Sequence, residues 1–211
     1  MALYQKLTML AKDMFLKKIN FNFLVLVLFL FLFLLLSKSP QASEIEKVIT
    51  YIKSLNNFSS SFIQNNYEEI SEGKIYIGKE RIRIEYLKPS KILIILDKDK
   101  AMYYNYELNE DEFFNPKDTT AIFFFEIFNN PDFLLNSKNS LENKNLIVIK
   151  NTKIEDIEYK LKLYFEFQPL IIRKIEVISN DILLEVSFFD HKFNEEFSKK
   201  FFKLINPELL N

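Results

Sequence analysis

Apolar residues alternate with polar ones along most of this chain, and the alternation has period two. In RIRIEYLK, residues 81–88, Ile82, Ile84 and Tyr86 fall on one side while Arg81, Arg83 and Glu85 fall on the other, as the side chains of a half-buried strand do. The same spacing recurs in FSSSFIQNNY from Phe58, GKIYIG from Gly73, KILIILD, AMYYNYE and a short DEFF. It resumes in NLIVIK, IEYKLKLYFEF, LIIRKIEVIS and ILLEVSFF, and FFKLI near the end fits a last strand. The links are short polar turns, Gln168-Pro169 and Asn180-Asp181 among them, too short for parallel crossovers. Two stretches depart from period two. SEIEKVITYIKSLNNF places Ile45, Val48, Ile49, Ile52 and Leu55 at helical spacing behind a Ser43/Glu46 capping box. TTAIFFFEIF, residues 119–128, loses alternation between Asn115-Pro116 and Asn129-Asn130-Pro131 and reads as a central helix capped by Asp118 or Thr119, with Phe133-Leu134-Leu135 as a further helical turn.

These elements predict a mainly β chain: an incomplete, open antiparallel β-barrel of about 10–11 strands, with an N-terminal helix and a central helical lid. Two or three helices cover only part of so long a meander. Periodicity alone is compatible both with a barrel filled by its own Phe, Ile, Leu and Tyr side chains and with a ligand cavity.

The N-terminus changes the picture. Phe23 to Leu36 is an unbroken run of fourteen apolar residues, preceded by Lys17-Lys18 and followed by SKSPQA. This has the three regions of a secretory signal, with cleavage expected after Ala42 and Met14 as an alternative start. The run is shorter than a membrane-spanning helix needs, so a retained inner-membrane anchor is the secondary reading. Residues 43–211 then form a single domain. Removing residues 1–42 takes five Lys and one Asp, leaving 23 basic and 28 acidic residues and a net charge of −5, which argues against a nucleic-acid partner.

Composition narrows the chemistry. There is no cysteine, which removes disulfides, thiolate metal sites and thiol catalysis. The single histidine, His191, stands in Asp190-His191-Lys192 at a predicted turn and is expected to be solvated; a histidine triad or multi-histidine metal site is excluded by count. Asp97 and Asp99 flank a hairpin turn but lack the further carboxylates that calcium requires. Two glycines, Gly73 and Gly78, make no phosphate-cradling loop. No cofactor, no metal and no enzymatic activity are expected.

The order of elements resembles the LolA family, carriers of outer-membrane lipoproteins. SLNNFSSSFIQ, with Phe62 and Gln64 in Phe-x-Gln positions, is similar to the family's helix exit and first strand. GKIYI, RIRIEYLKP and ILIILDKDKAMYYNYELNE resemble the strands that follow; NPKDTTAIFFF resembles the entry to the central helix, and Asn194 with FFKLINP its closing strand. Two departures stand out: Lys79-Glu80 replaces the family's Arg-Pro, and Asp97-Lys98-Asp99-Lys100 replaces an Asp-Gly turn. The family arginine is a candidate for holding a closed lid, and Lys79 in its place has a different donor geometry.

The resemblance implies a periplasmic carrier in a Gram-negative bacterium. It would act as a monomer, take acylated lipoproteins from an inner-membrane ABC transporter, and hand them to an outer-membrane acceptor or the membrane itself. The lining it implies comprises Ile75, Ile77, Ile82, Ile84 and Tyr86 on the strands. The lid would contribute Phe123, Phe124, Ile127 and Phe128, opposed by Ile45, Val48, Ile49 and Ile52 of the first helix. The alternatives are a sensor or regulatory module that binds mislocalised lipoproteins or other lipids, and an inner-membrane-anchored structural protein.

Overall fold

The computed structural model describes Met9 and residues 43–66, 68–180 and 183–210. The chain divides into two compact units, Met1–Ala42 and Ser43–Asn211. The expected export signal and its cleavage site lie outside the described residues, as does Asp181 of the expected Asn180-Asp181 turn. Among the described residues no helix is long and apolar enough to cross a membrane.

The second unit opens with α1, Glu44–Lys53. Its capping box forms as the sequence predicts: the Glu46 amide donates to Ser43 Oγ at 3.2 Å and the Ser43 amide donates to Glu46 Oε2 at 2.8 Å. The 3.6-residue period then brings Ile45, Val48, Ile49 and Ile52 onto one buried face. Tyr51 anchors the helix to the sheet, its hydroxyl accepting from the Ile172 amide at 3.1 Å and its ring standing edge-on to Phe165.

Eleven strands follow in one sheet. They are β1 (Phe58–Asn65), β2 (Ile70–Ile77), β3 (Ile82–Lys88), β4 (Ile92–Leu96), β5 (Ala101–Asn105), β6 (Glu110–Phe114), β7 (Lys138–Glu142), β8 (Asn145–Ile154), β9 (Ile157–Glu166), β10 (Ile171–Ile178) and β11 (Leu183–Lys192). The sheet runs β6-β5-β4-β3-β2-β1-β11-β10-β9-β8-β7, antiparallel throughout. Two meanders are thus joined where the first strand pairs with the last, and β6 and β7 are left as edges. Between these edges runs the insert: a 3-10 turn at Pro116–Asp118, helix α2 (Ala121–Asn129) and a second 3-10 turn at Pro131–Leu134.

The strand count agrees with the sequence reading, but one strand is not where it is expected. KNSLE forms edge strand β7, although it is polar; an edge strand with one hydrogen-bonded neighbour needs little apolar side chain. FFKLI forms no strand. Residues 201–205 are turns within a C-terminal tail that ends in a 3-10 turn, Pro207–Leu210. The expected cap of the central helix also differs: Thr120 occupies the N-cap and makes no side-chain bond, while Thr119 Oγ1 accepts from the Ala121 amide at 3.3 Å.

The tail explains the polar side of β3. Alternation places Ile82, Ile84 and Tyr86 on the inner face, but Arg81, Arg83 and Glu85 do not face open water. Arg83 donates to the Phe201 carbonyl at 2.9 Å, Arg81 to the Phe202 carbonyl at 3.1 Å, and the Arg83 guanidinium lies 4.5 Å from the Phe201 ring centre. Phe197 and Phe201 stack on each other and meet Tyr76 edge-on. Leu204 packs on a small outer core of Leu93, Ile95, Met102 and Tyr104. Phe197, Phe201 and Leu204 of the tail are therefore absorbed by the outer face of β2–β5, while Ile205 and Leu209 stay exposed.

Candidate functional site

The inner face carries the main core, and α1 does not cover it evenly. Through Tyr51, α1 lies over β9 and β10, leaving the inner face of β1–β4 to the insert. There a cavity of about 390 Å³ remains. Its floor is Phe62 and Gln64 of β1, Ile75 of β2, Ile84 and Tyr86 of β3, and Leu184, Val186 and Phe188 of β11. Ile94 and Phe114 close one side, and Thr119, Thr120, Ala121 and Phe124 form the roof, with Asn66 at the rim.

Local sequence builds this floor. Gly73 stands opposite Phe62 on one neighbouring strand and Tyr86 on the other. A Cβ there would meet the Glu85 carbonyl oxygen and sit 2.6 Å from Phe62 Cζ. The missing side chain lets the Phe62 ring lie across Gly73 and meet Tyr86 edge-on at 5.2 Å. The surface is apolar except where the Tyr86 hydroxyl donates to Gln64 Oε1 at 2.8 Å. Burial pushes the Tyr86 phenol up to about 12 against the opposing pull of that hydrogen bond, so it remains a neutral donor at physiological pH.

Helix α2 roofs the cavity and is apolar nearly all round: Ile122, Phe123, Phe124, Phe125, Ile127 and Phe128 are buried. Packing rather than capping holds it. Phe123 meets Tyr159 at 5.1 Å and Phe128 meets Phe188 at 6.3 Å, both edge-on. Polar ties are sparse: Asn129 Nδ2 donates to the Gly78 carbonyl at 3.3 Å, Lys117 pairs with Asp99 at 2.5 Å, and Asp132 pairs with Lys53 at 2.8 Å. Asn129 Oδ1 is buried without a partner among the described residues.

The predicted site residues divide into groups. Ile75, Ile84, Tyr86 and Phe124 line the cavity. Ile77 and Ile82 lie farther along the same inner face and are packed shut, at 1% and 0% exposure. Phe123, Ile127 and Phe128 belong to α2 but point into the core that holds it, and Ile45, Val48, Ile49 and Ile52 fill the core beneath α1. Lys79 is exposed in the β2–β3 turn and makes none of the hydrogen bonds or ion pairs found among the described residues. The link between that turn and the lid runs in the opposite direction, from the lid's Asn129 to the turn's backbone.

Sequence reasoning passes over Leu184, Val186 and Phe188, which reach the cavity only because β11 pairs with β1. Their signal is the alternation in LLEVSFF, which shows an apolar face but not which strand it adjoins.

Two other expectations change. His191 is half-buried rather than solvated. A bulge at Asp190, whose φ is 52°, sets its ring against Phe58, with Nδ1 2.8 Å from Ser60 Oγ and Nε2 2.8 Å from the Ile172 carbonyl. Burial holds its pKa below the ordinary value. Asp97 and Asp99 are tied to Arg81 and Lys117, each serving the fold.

Other recesses among the described residues have a different lining. One of about 600 Å³, at the ends of β8–β10, is walled by Asn151, Lys153, Glu158 and Lys160 beside Tyr159 and Ile178, so charged and polar groups stand among its apolar ones. Another, of about 440 Å³, is bounded by Ser61, Lys74, Asp190, Lys192 and Glu195 and is polar in the same way. A smaller one, about 280 Å³, adjoins the apolar cavity and shares Gln64, Asn66, Tyr86 and Ile94 with it.

Residues 53–205 match the family described as outer membrane lipoprotein carrier protein LolA. No curated protein matches the chain. A solved structure of an uncharacterized conserved protein from Thermus thermophilus is similar over 78% of this chain and 94% of its own, with a TM-score of 0.51 at 10% identity, a likeness of fold. A DUF1329 family protein from Desulfovibrio piger ATCC 29098 aligns over 74% of this chain and 95% of its own, with a TM-score of 0.44 at 10% identity. A structure of the Pseudomonas aeruginosa MucA/MucB complex aligns over 76% of this chain but only 59% of that chain, with a TM-score of 0.44 at 11% identity.

Proposed function

The chain belongs to the LolA family, and on that footing we propose that it is a periplasmic carrier that shelters a lipoprotein's acyl chain under α2 and conveys it from the inner to the outer membrane. The observation that carries this reading is the apolar cavity under a lid with few polar ties. Each methylene removed from water contributes about 0.8 kcal/mol, so a lining of Phe, Ile, Leu and Val holds a chain by area, without chemistry and with little dependence on its sequence. Release is served by the same weakness. A lid held by packing opens when a more apolar acceptor takes the chain, because the equilibrium shifts only by the difference in affinity between the two hosts.

Size supports one chain at a time. Since an apolar cavity of about 150 Å³ accommodates one benzene, the 390 Å³ here corresponds to about sixteen carbon atoms, one long acyl chain. A cargo with more chains requires α2 to move outward.

The test is direct. Ile84→Glu sets a carboxylate in the cavity floor, where the side chain is 9% exposed, and is expected to abolish capture of an acylated lipoprotein while circular dichroism stays that of the folded protein. Capture equal to wild type would contradict the assignment of the floor.

A further inference from the structure

The recess beside the cavity shares four lining residues with it and adds charged side chains that the cavity lacks. Gln64, Asn66, Tyr86 and Ile94 form the boundary between the two, so a molecule seated in one projects into the other past the Tyr86–Gln64 hydrogen bond. Beyond that boundary the lining is mixed, with the polar side chains of Ser71, Ser90, Glu69 and Lys88 standing among Pro89, Ile92 and Tyr103.

The boundary presents hydrogen-bond donors. Gln64 uses its oxygen to accept from Tyr86, which leaves its NH2 group without a partner among the described residues. Asn66 uses its Oδ1 to accept from the Glu69 amide at 2.9 Å, and its NH2 is likewise left over. Uncharged NH2 groups suit carbonyl oxygens. The charges beyond them do not suit an anion: Lys88, the recess cation, is already paired with Glu72 at 3.1 Å, while Glu69 has no cationic partner among the described residues. One carboxylate is therefore uncompensated at the mouth.

We infer that this recess is a head-group site that selects an acyl chain joined to an uncharged, carbonyl-bearing head, an ester or an amide, and rejects a chain ending in a phosphate or carboxylate. The inference rests on the carrier reading and adds to it a means of keeping free fatty acids and anionic lipids from competing for the cavity. The tail is held by area alone, so chains of equal length are told apart only by what the recess meets. Selection of this kind works as much by repelling the wrong head as by bonding the right one.

The test uses the full-length protein with a bound hydrophobic dye, 1-N-phenylnaphthylamine, displaced at low ionic strength by two ligands of equal chain length: monopalmitoylglycerol, a neutral ester, and hexadecyl phosphate, an anion. The ester is expected to displace the dye at a concentration at least about tenfold lower. Glu69→Lys, an exposed position that keeps its backbone contacts with Asn66, is expected to narrow that ratio to about threefold or less with dye affinity unchanged. Equal displacement by the two ligands in wild type, or a ratio indifferent to Glu69→Lys, overturns the head-group assignment and leaves the carrier reading standing. Failure of the dye itself to bind overturns both.

Discussion

Gly73 shows how one absent side chain shapes the cavity. With no Cβ it lets Phe62 lie across β2 and lean on Tyr86; with one, the strand must shift against the Glu85 carbonyl, a backbone atom that cannot swing away. Gly73→Ala is expected to cost about 1–3 kcal/mol, the range for overpacking a tight interior, read as a lower denaturant midpoint, and to reduce acyl binding because Phe62 is displaced into the cavity. His191 gives a second expectation at this scale. Its folded pKa lies below the unfolded value of 6.5 because burial disfavours the charged ring. The unfolded chain therefore binds the proton first, and this residue's contribution to stability is full above 6.5 and declines as pH falls toward the folded pKa. His191→Gln should remove that part of the acid sensitivity, measured by denaturant titrations at several pH values. An unchanged pH profile would count against the buried placement. Nothing around Asp190-His191-Lys192 in the sequence announces it, since the bulge that turns the ring inward depends on pairing with β1, more than a hundred residues away.

At the scale of elements, legibility follows locality. Helix α1 and the inner face of β3 are written in periods of 3.6 and two, and each forms as its spacing predicts. Edge strand β7 escapes a reading by pattern because KNSLE lacks an apolar face to alternate, and FFKLI imitates a strand although Phe201 and Leu204 pack on the outside of β2–β5 from a segment of turns. The lid helix is legible as an apolar element, but the side chains it turns to the cavity are not: only Phe124 and Ala121 of α2 line it, while Phe123 and Phe128 anchor the helix against Tyr159 and Phe188. Asn129 is the polar tie of α2 to the β2–β3 turn, with one bonded atom and one buried atom left unpaired. A neutral hydrogen bond contributes a net of about 0.5–1.5 kcal/mol, partly offset here by the orphan oxygen. Asn129→Ala is accordingly expected to speed dye release by a few fold in stopped-flow mixing with lipid vesicles, with global stability changed by less than about 1 kcal/mol. Release at the wild-type rate would show that packing alone sets the lid.

For the molecule as a whole, the arrangement follows from an imbalance of cover. The sheet has two faces and two open edges; the tail takes the outer face of β2–β5, and α1 fills the inner face over β9 and β10. What remains is the inner face of β11 and β1–β4, roofed by a helix too short to fill it. The sequence displays that surplus of apolar strand surface plainly, yet whether side chains or a guest occupy it depends on volumes that only the folded chain defines. The most direct measurement is a crystal structure with a lipopeptide whose acyl chain carries a terminal bromine. The account predicts an anomalous peak enclosed by Phe62, Ile84 and Phe124, with the peptide leaving past Gln64. A peak on the outer face or in the polar recess, with the cavity unchanged, would contradict it.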